Sequence, residues 1–138
     1  MLLRNQEYSL DDLFRIVGVD DPVGRSRYHQ EATANRNEND LLARSNSQVF
    51  TILLKHRPTV DNESLGHFDL QLSGHTHGGQ IFPFNLIVGH FYPNQNGIYP
   101  LDKGSVLYVS RGTGTWGPPM RFLAPPEVTI IEVRGKGD

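Results

Sequence analysis

Three of the six histidines occupy similar positions, each shortly after an apolar run that predicts a strand. His56 follows the segment LLK, and His75 and His77 lie in the glycine-rich segment SGHTHGGQ. Because the carboxyl ends of neighbouring parallel strands meet at one edge of an open α/β sheet, we expect these imidazoles to converge. Paired imidazoles suit Mn, Fe, Zn or similar borderline divalent ions. The alternative interpretation is that the histidines are solvated or hydrogen-bonded residues of a turn and bind no metal.

The remaining histidines and one arginine have weaker contexts. His29 lies in a polar stretch, His67 precedes a predicted strand and His90 lies in a long loop, so we expect surface positions, with His90 as a candidate substrate contact. Arg111 follows a strand and precedes the turn Gly112-Thr113-Gly114. A guanidinium and exposed backbone N–H groups both suit anions, so Arg111 is a second candidate substrate contact. An ordinary surface salt bridge is the alternative for Arg111.

The elements that must position these residues are mostly strands. Apolar, β-branched runs predict strands over residues 13–19, 49–54, 106–110 and 128–133, and period-two alternation predicts another over 68–73. Helical signal is poorer: we expect one or two short helices around residues 39–45. Residues 82–104 are rich in aromatics, proline and glycine and form either a lid over the site or a surface loop or small hairpin. The prolines of residues 116–120 and 124–127 exclude helix there. The pattern predicts a strand-rich α/β fold with few short helices.

Composition narrows the class of protein. A chain of 138 residues is one domain by length. With 13 Lys and Arg against 15 Asp and Glu, the net charge of -2 does not favour a nucleic-acid partner. The absence of cysteine excludes disulfides and thiolate metal sites, so any metal must bind His, Asp or Glu. No signal or transmembrane segment is expected, and the predicted location is cytoplasmic or peripheral to the membrane.

Several motifs together resemble the calcineurin-like metallophosphoesterases. They are LLKHRP at residues 53–58, FDLQLSGHTHGGQI at 68–81 and LYVSRGTGTWGPPMR at 107–121. The third motif, with APPE at 124–127 after it, is most similar to a bacterial membrane-associated branch that includes lipid-related phosphodiesterases and pyrophosphatases. The segment GVDDP at 18–22 also fits. The resemblance covers about residues 13–133.

This resemblance implies a layered α/β/β/α sandwich and a hydrolase of phosphoesters that depends on two divalent metal ions. Carried over by position, His56 and His75 bind one ion and His77 the other, and the pair of ions activates a water for attack on phosphorus. Two ions that stabilise both the attacking and the leaving oxygen suit an in-line displacement at phosphorus. Phosphomonoesters, phosphodiesters and pyrophosphates fit this chemistry equally well.

The family's N-terminal motifs are absent from the chain. The pattern begins with Asp-x-His, Gly-Asp-x-x-Asp and Gly-Asn-His followed by an acid, and no Asp here has a His two residues later and no Asn precedes a His. Residues 1–138 are therefore expected to form a single partial domain, the C-terminal half of the sandwich. We expect a homo-oligomer or a separate N-terminal half to cover the exposed sheet. Alone, the chain is expected to hold one ion weakly and to be weakly active or inactive; the alternative function is that of a non-catalytic, metal-binding or structural oligomer.

Overall fold

A computed structural model describes residues 2–21, 38–44 and 48–135 of the chain. Their main feature is one six-stranded sheet, accompanied by two short helices and two 3₁₀ turns. In chain order the elements are β1 (Gln6–Leu10), β2 (Phe14–Gly18), α1 (Glu38–Leu42), β3 (Phe50–Leu54), β4 (Leu70–Ser73), a 3₁₀ turn (His77–Gly79), α2 (Phe84–Phe91), β5 (Gly97–Pro100), a 3₁₀ turn (Asp102–Gly104) and β6 (Val106–Val109). This is a strand-rich α/β fold, as the sequence predicts.

The strand order across the sheet is β1-β2-β3-β4-β6-β5. The central strands β2, β3, β4 and β6 run parallel, and β1 and β5 pair antiparallel at the two edges. Parallel pairing brings the carboxyl ends of β3 and β4 side by side, with Leu54 opposite Leu72. The loops that carry the motif histidines therefore leave the sheet at the same edge.

The core lies on one face of this sheet. Val17 and Leu53 are fully buried there and pack with Leu41 and Leu42 of α1 and with the loop residues Leu65 and Phe68. Because successive side chains of a strand point to opposite faces, burial alternates along β2 and β3. The neighbouring positions on the other face, including Ile16 and Ile52, remain partly exposed.

Most sequence predictions of the elements are confirmed, and some are wrong. The four strands expected within residues 13–19, 49–54, 68–73 and 106–110 are β2, β3, β4 and β6, and the helix expected around residues 39–45 is α1. Residues 116–120 and 124–127 contain no helix, as their prolines require. The strand predicted over 128–133 is wrong: that segment has no regular secondary structure and no ladder partner among the described residues, and a strand needs a neighbouring backbone to pair with.

The stretch 82–104 is more ordered than either predicted loop form. It contains α2, and then β5, which forms a hairpin with β6, so the small-hairpin alternative is correct for its second part. Strand β1 lacks a strong apolar run and was not predicted. Five antiparallel residue pairs with β2 hold β1 in place. This pairing stabilises a strand that the residue types alone do not favour.

Candidate metal centre

His56 and His75 meet at the carboxyl edge of the sheet. His56 comes two residues after β3, and His75 two residues after β4. The ladder continues past both strands, because Lys55 N–H donates to Leu72 O and Gly74 N–H donates to His56 O, each at 3.1 Å. The Nδ1 atom of His75 then lies 2.9 Å from Nε2 of His56, and the two rings stand edge to face with centroids 4.8 Å apart. The predicted convergence of these two imidazoles is present.

The backbone of the histidine loop is held in an unusual conformation. His75 has φ +72° and His77 has φ +51°, both in the left-handed region that residues with a Cβ seldom adopt. Gly78 and Gly79 also have positive φ, at +60° and +79°. Strain of this kind persists where the surrounding structure enforces it and is common at ligand sites. The unfavourable backbone conformation of this loop therefore fixes the directions of its histidine side chains.

Burial of His75 favours its neutral form. Its pKa is lowered from the ordinary value of 6.5, first by burial and then by the neighbouring charge of His56 and, less, of Arg57. A neutral imidazole is the form that coordinates a metal ion, because protonation occupies the lone pair. Burial thus favours the form of His75 that has one unprotonated ring nitrogen, and Nδ1 of His75 lies at hydrogen-bond distance from Nε2 of His56.

Asp21, Arg57 and Tyr92 surround the histidine pair. A carboxylate oxygen of Asp21 lies 3.9 Å from Nε2 of His56, and Nε of Arg57 lies 3.1 Å from both Asp21 oxygens. Arg57 also donates from Nη1 to the hydroxyl of Tyr92 at 2.9 Å, and the Tyr92 ring stands edge-on to His75 at 5.1 Å. Sequence reasoning missed these contacts, although Asp21 follows β2 and the strand-end argument applied to His56 points to it equally.

His77 has different neighbours from the other two motif histidines. Its Nδ1 atom lies 3.3 Å from Nη2 of Arg121, and its carbonyl accepts from Nη1 of Arg121 at 3.2 Å. The same guanidinium donates to the carbonyls of Arg111, Gly112 and Ala124. Arg121 therefore ties the histidine loop to the segment that follows β6, a role that the sequence did not indicate.

The remaining sequence candidates lie away from the histidine pair. Arg111 forms an ion pair with Glu127, with 2.8 Å between Nη2 and the carboxylate oxygen, which is the salt bridge considered as its alternative. His90 is an exposed residue of α2 whose ring contacts Phe91. His67 is exposed before β4, as expected, and His29 lies outside the described residues.

A cleft of about 980 Å³ opens beside the histidines. His56, His75 and His77 lie along it, and α2 supplies an apolar wall through Phe84, Ile87, Val88 and Phe91. Trp116 contributes to the rim, where Gln80 holds its loop: Oε1 of Gln80 accepts from Trp116 N–H at 2.5 Å, and Nε2 donates to Trp116 O at 2.7 Å. The cleft is thus lined by imidazole nitrogens on one side and by the apolar side chains of α2 on the other.

The donor set suits a divalent ion only in part. Two imidazole nitrogens this close can share a borderline ion such as Mn, Fe or Zn. Within residues 2–21, 38–44 and 48–135, however, no group of three or more His, Asp or Glu side chains is arranged to hold one. Among the described residues, the histidine pair alone does not make a complete set of metal ligands.

An α/β sheet with converging histidines at its carboxyl edge is the kind of scaffold on which metal-dependent hydrolases build their sites. The comparisons with known proteins specify the class. An uncharacterized metallophosphoesterase of Aquifex aeolicus is 38% identical over 138 residues, 99% of this chain and 52% of that protein. An uncharacterized metallophosphoesterase of Campylobacter jejuni is 41% identical over 98% of this chain, which corresponds to 35% of that protein. An uncharacterized metallophosphoesterase of Helicobacter pylori is 43% identical over 88% of this chain, which corresponds to 32% of that protein. No family model and no solved structure matches the chain.

The chain is therefore homologous to the C-terminal portion of the calcineurin-like metallophosphoesterases, as its motifs indicate. It spans about half of the Aquifex relative and about a third of the other two. Membership of this family implies divalent metal ions. In the part of the chain that the structure describes, no helix is long and apolar enough to cross a membrane.

Proposed function

We propose that this chain supplies the histidine ligands of a metal-dependent phosphoester hydrolase. The observation that carries the proposal is the approach of His56 Nε2 to His75 Nδ1, 2.9 Å apart at the carboxyl edge of parallel strands and open to a large cleft. The names of the relatives support the same general activity. In this proposal residues 1–138 are one part of a single domain, and hydrolysis by the isolated chain is weak or absent.

The proposed roles follow the sequence resemblance. His56 and His75 hold one divalent ion and His77 holds a second; in phosphoester hydrolases such a pair supplies an activated water and neutralises charge on the phosphoryl oxygens. The contribution of this chain's residues is to fix the ligands. The strained loop aims His75, burial keeps it neutral, and Arg57 and Tyr92 pack around it.

Substrate contacts are proposed at Arg111 and His90, for a phosphomonoester, phosphodiester or pyrophosphate and with Mn, Fe or Zn as the divalent ion. Arg111 must exchange Glu127 for a phosphate oxygen to play this part, since its guanidinium is already paired. A cytoplasmic location, or one peripheral to the membrane, belongs to the same proposal.

Hydrolysis of an aryl phosphodiester by the purified chain with excess Mn(II) tests this function. His75→Ala is compared with His67→Ala, which removes an exposed histidine outside the cleft. The proposal expects any Mn(II)-dependent turnover to disappear in His75→Ala and to persist in His67→Ala. Turnover that is equal in both variants contradicts the assignment of His75.

The second candidate is a metal-binding protein without catalysis. The observation that favours it is the number of converging donors, two imidazoles in place of a full ligand set among the described residues. Saturable Mn(II) binding that depends on His75, with no hydrolysis at any chain or metal concentration, distinguishes this candidate from the hydrolase.

A further inference from the structure

Arg57 lines the cleft and directly follows His56 in the chain. Its Nε atom donates to both carboxylate oxygens of Asp21 at 3.1 Å, and its Nη1 atom donates to the hydroxyl of Tyr92 at 2.9 Å. Nη2 donates to no acceptor among the described residues, and 26% of the side chain is exposed. The guanidinium is therefore held by two partners and keeps N–H groups for a further acceptor.

The two partners of Arg57 place its guanidinium beside the histidine pair. A carboxylate oxygen of Asp21 lies 3.9 Å from Nε2 of His56, and the ring of Tyr92 stands edge-on to His75 with 5.1 Å between the centroids. Asp21 follows β2 and Tyr92 follows α2, so separate parts of the chain hold the guanidinium. An anion bound by Arg57 in the cleft is therefore a neighbour of the two imidazoles.

The charges along the cleft favour an anion at Arg57. Among the described residues that line the cleft, Arg57 is the only Arg or Lys and Asp21 the only Asp or Glu. A guanidinium stays protonated at physiological pH, and its planar set of N–H groups matches the oxygens of a phosphate. The apolar side chains of α2 on the opposite wall reduce the screening of this charge by water.

We propose that Arg57 binds an oxyanion of the phosphate class, free or esterified, and that Asp21 and Tyr92 position its guanidinium for this contact. Arg57 can donate to the anion while it keeps both partners, whereas Arg111 must first give up Glu127. The assignment of the anion to the phosphoryl group of a substrate rests on the proposed function. The anion site itself does not.

A purely structural ion pair is the alternative role for Arg57 and Asp21. Loss of either side chain then breaks the same pair, so both changes act in the same direction. In an anion site the two residues act in opposite directions, because the guanidinium attracts an anion and the carboxylate repels it. A comparison of Arg57→Gln with Asp21→Asn therefore separates the two roles.

Titration of the full, isotopically labelled chain with inorganic phosphate tests the proposal. A chelator keeps the chain free of metal, chloride salt keeps the ionic strength constant, and the backbone amide shifts of the cleft residues give the dissociation constant. The natural chain should bind phosphate saturably. Arg57→Gln should weaken binding by at least about tenfold, and Arg57→Lys by less, because lysine keeps the charge but not the planar fork. Asp21→Asn should tighten binding by at least about twofold.

Arg4→Gln is the matched control for Arg57→Gln. Arg4 forms a similar pair with Asp20, with 3.0 Å between Nη2 and a carboxylate oxygen, but it is not among the residues that line the cleft. Its replacement removes the same charge from the chain, so phosphate binding should stay within about twofold of the natural value.

A second titration with phenyl phosphate distinguishes an ester from the free anion. Tighter binding of phenyl phosphate than of inorganic phosphate supports a site for an ester. Weaker binding assigns the site to free phosphate and overturns the link to a substrate ester. Both ligands should depend on Arg57.

The outcomes separate this inference from the proposed function. Phosphate binding that depends on Arg57, in a chain without Mn(II)-dependent hydrolysis, supports the anion site and counts against the hydrolase. Equal binding by the natural chain and Arg57→Gln, or no binding by the natural chain, overturns the inference whether or not the chain hydrolyses an ester. If Arg57→Gln does not fold, Asp21→Asn decides: binding no tighter than that of the natural chain overturns the inference.

Discussion

His56 Nε2 and His75 Nδ1 lie 2.9 Å apart although the two residues are 19 positions apart in the chain. The parallel pairing of β3 with β4 produces this approach, since Leu54 stands opposite Leu72 and each histidine follows its strand at the same distance. The register of the sheet therefore brings the two histidines together. The left-handed backbone conformation at His75 sets the direction of its ring.

The pH dependence of stability should reflect the burial of His75. Its pKa is lowered by burial and by His56, so between the ordinary value of 6.5 and the lower folded value the unfolded chain binds a proton that the folded chain does not. The contribution of neutral His75 to the free energy of unfolding is therefore fully present above pH 6.5. It is lost as the pH falls from 6.5 through the lower pKa of the folded chain. Urea unfolding at a series of pH values should show that the free energy of unfolding falls less on acidification for His75→Gln than for the natural chain. Equal losses in the two proteins would contradict this origin.

Gly79 should tolerate no side chain. A Cβ there would lie 2.3 Å from Cα and 2.7 Å from N of Asn85, both backbone atoms of α2, and φ is +79°. Gly79→Ala must therefore displace α2 and should destabilise the fold by about 1–3 kcal/mol. Chemical denaturation measures the effect.

Gly114→Ala is the control for that change. A Cβ at Gly114 meets no described atom within 4 Å, so we expect a change of at most about 0.5 kcal/mol. A Gly79→Ala chain as stable as Gly114→Ala would show that the tight contact with α2 is not maintained in solution.

Arg121 should matter more for stability than its partial exposure suggests. Its guanidinium donates to the carbonyls of His77, Arg111 and Ala124. His77 lies in the loop after β4, and the other two residues lie at separate points of the segment after β6. Arg121→Met should cost about 1–3 kcal/mol because several buried or half-buried acceptors lose their donor. Thermal and urea unfolding check this value. Arg134→Met, which removes an exposed pair with Glu132, should change stability by less than about 0.5 kcal/mol, and a similar loss in both variants would refute the role of Arg121.

The sequence predicts those parts of the fold that depend on local pattern and parallel order. Apolar runs identify β2, β3, β4 and β6, and their shared carboxyl edge predicts that His56 and His75 converge. The same argument could have found Asp21. The contacts of Arg121 with loop carbonyls could not be predicted, because they depend on the paths of two irregular segments and not on a periodic pattern.

Two elements show the limits of propensity in opposite directions. Residues 128–133 have the composition of a strand but no partner backbone within the described residues, and they remain unpaired. Residues 6–10 have a weak pattern and nevertheless form β1, because β2 offers a complementary edge. Strand formation depends on pairing as much as on residue type, and pairing is a property of the whole fold.

Calorimetric titration of the purified chain with Mn(II) tests the central claim most directly, because it asks whether the histidine pair binds a divalent ion without requiring turnover. The natural chain should show saturable binding at one site. His75→Ala should weaken it by at least about tenfold, and His67→Ala should leave it unchanged. Binding of equal strength in the natural chain and in His75→Ala would contradict the assignment of His56 and His75 as metal ligands.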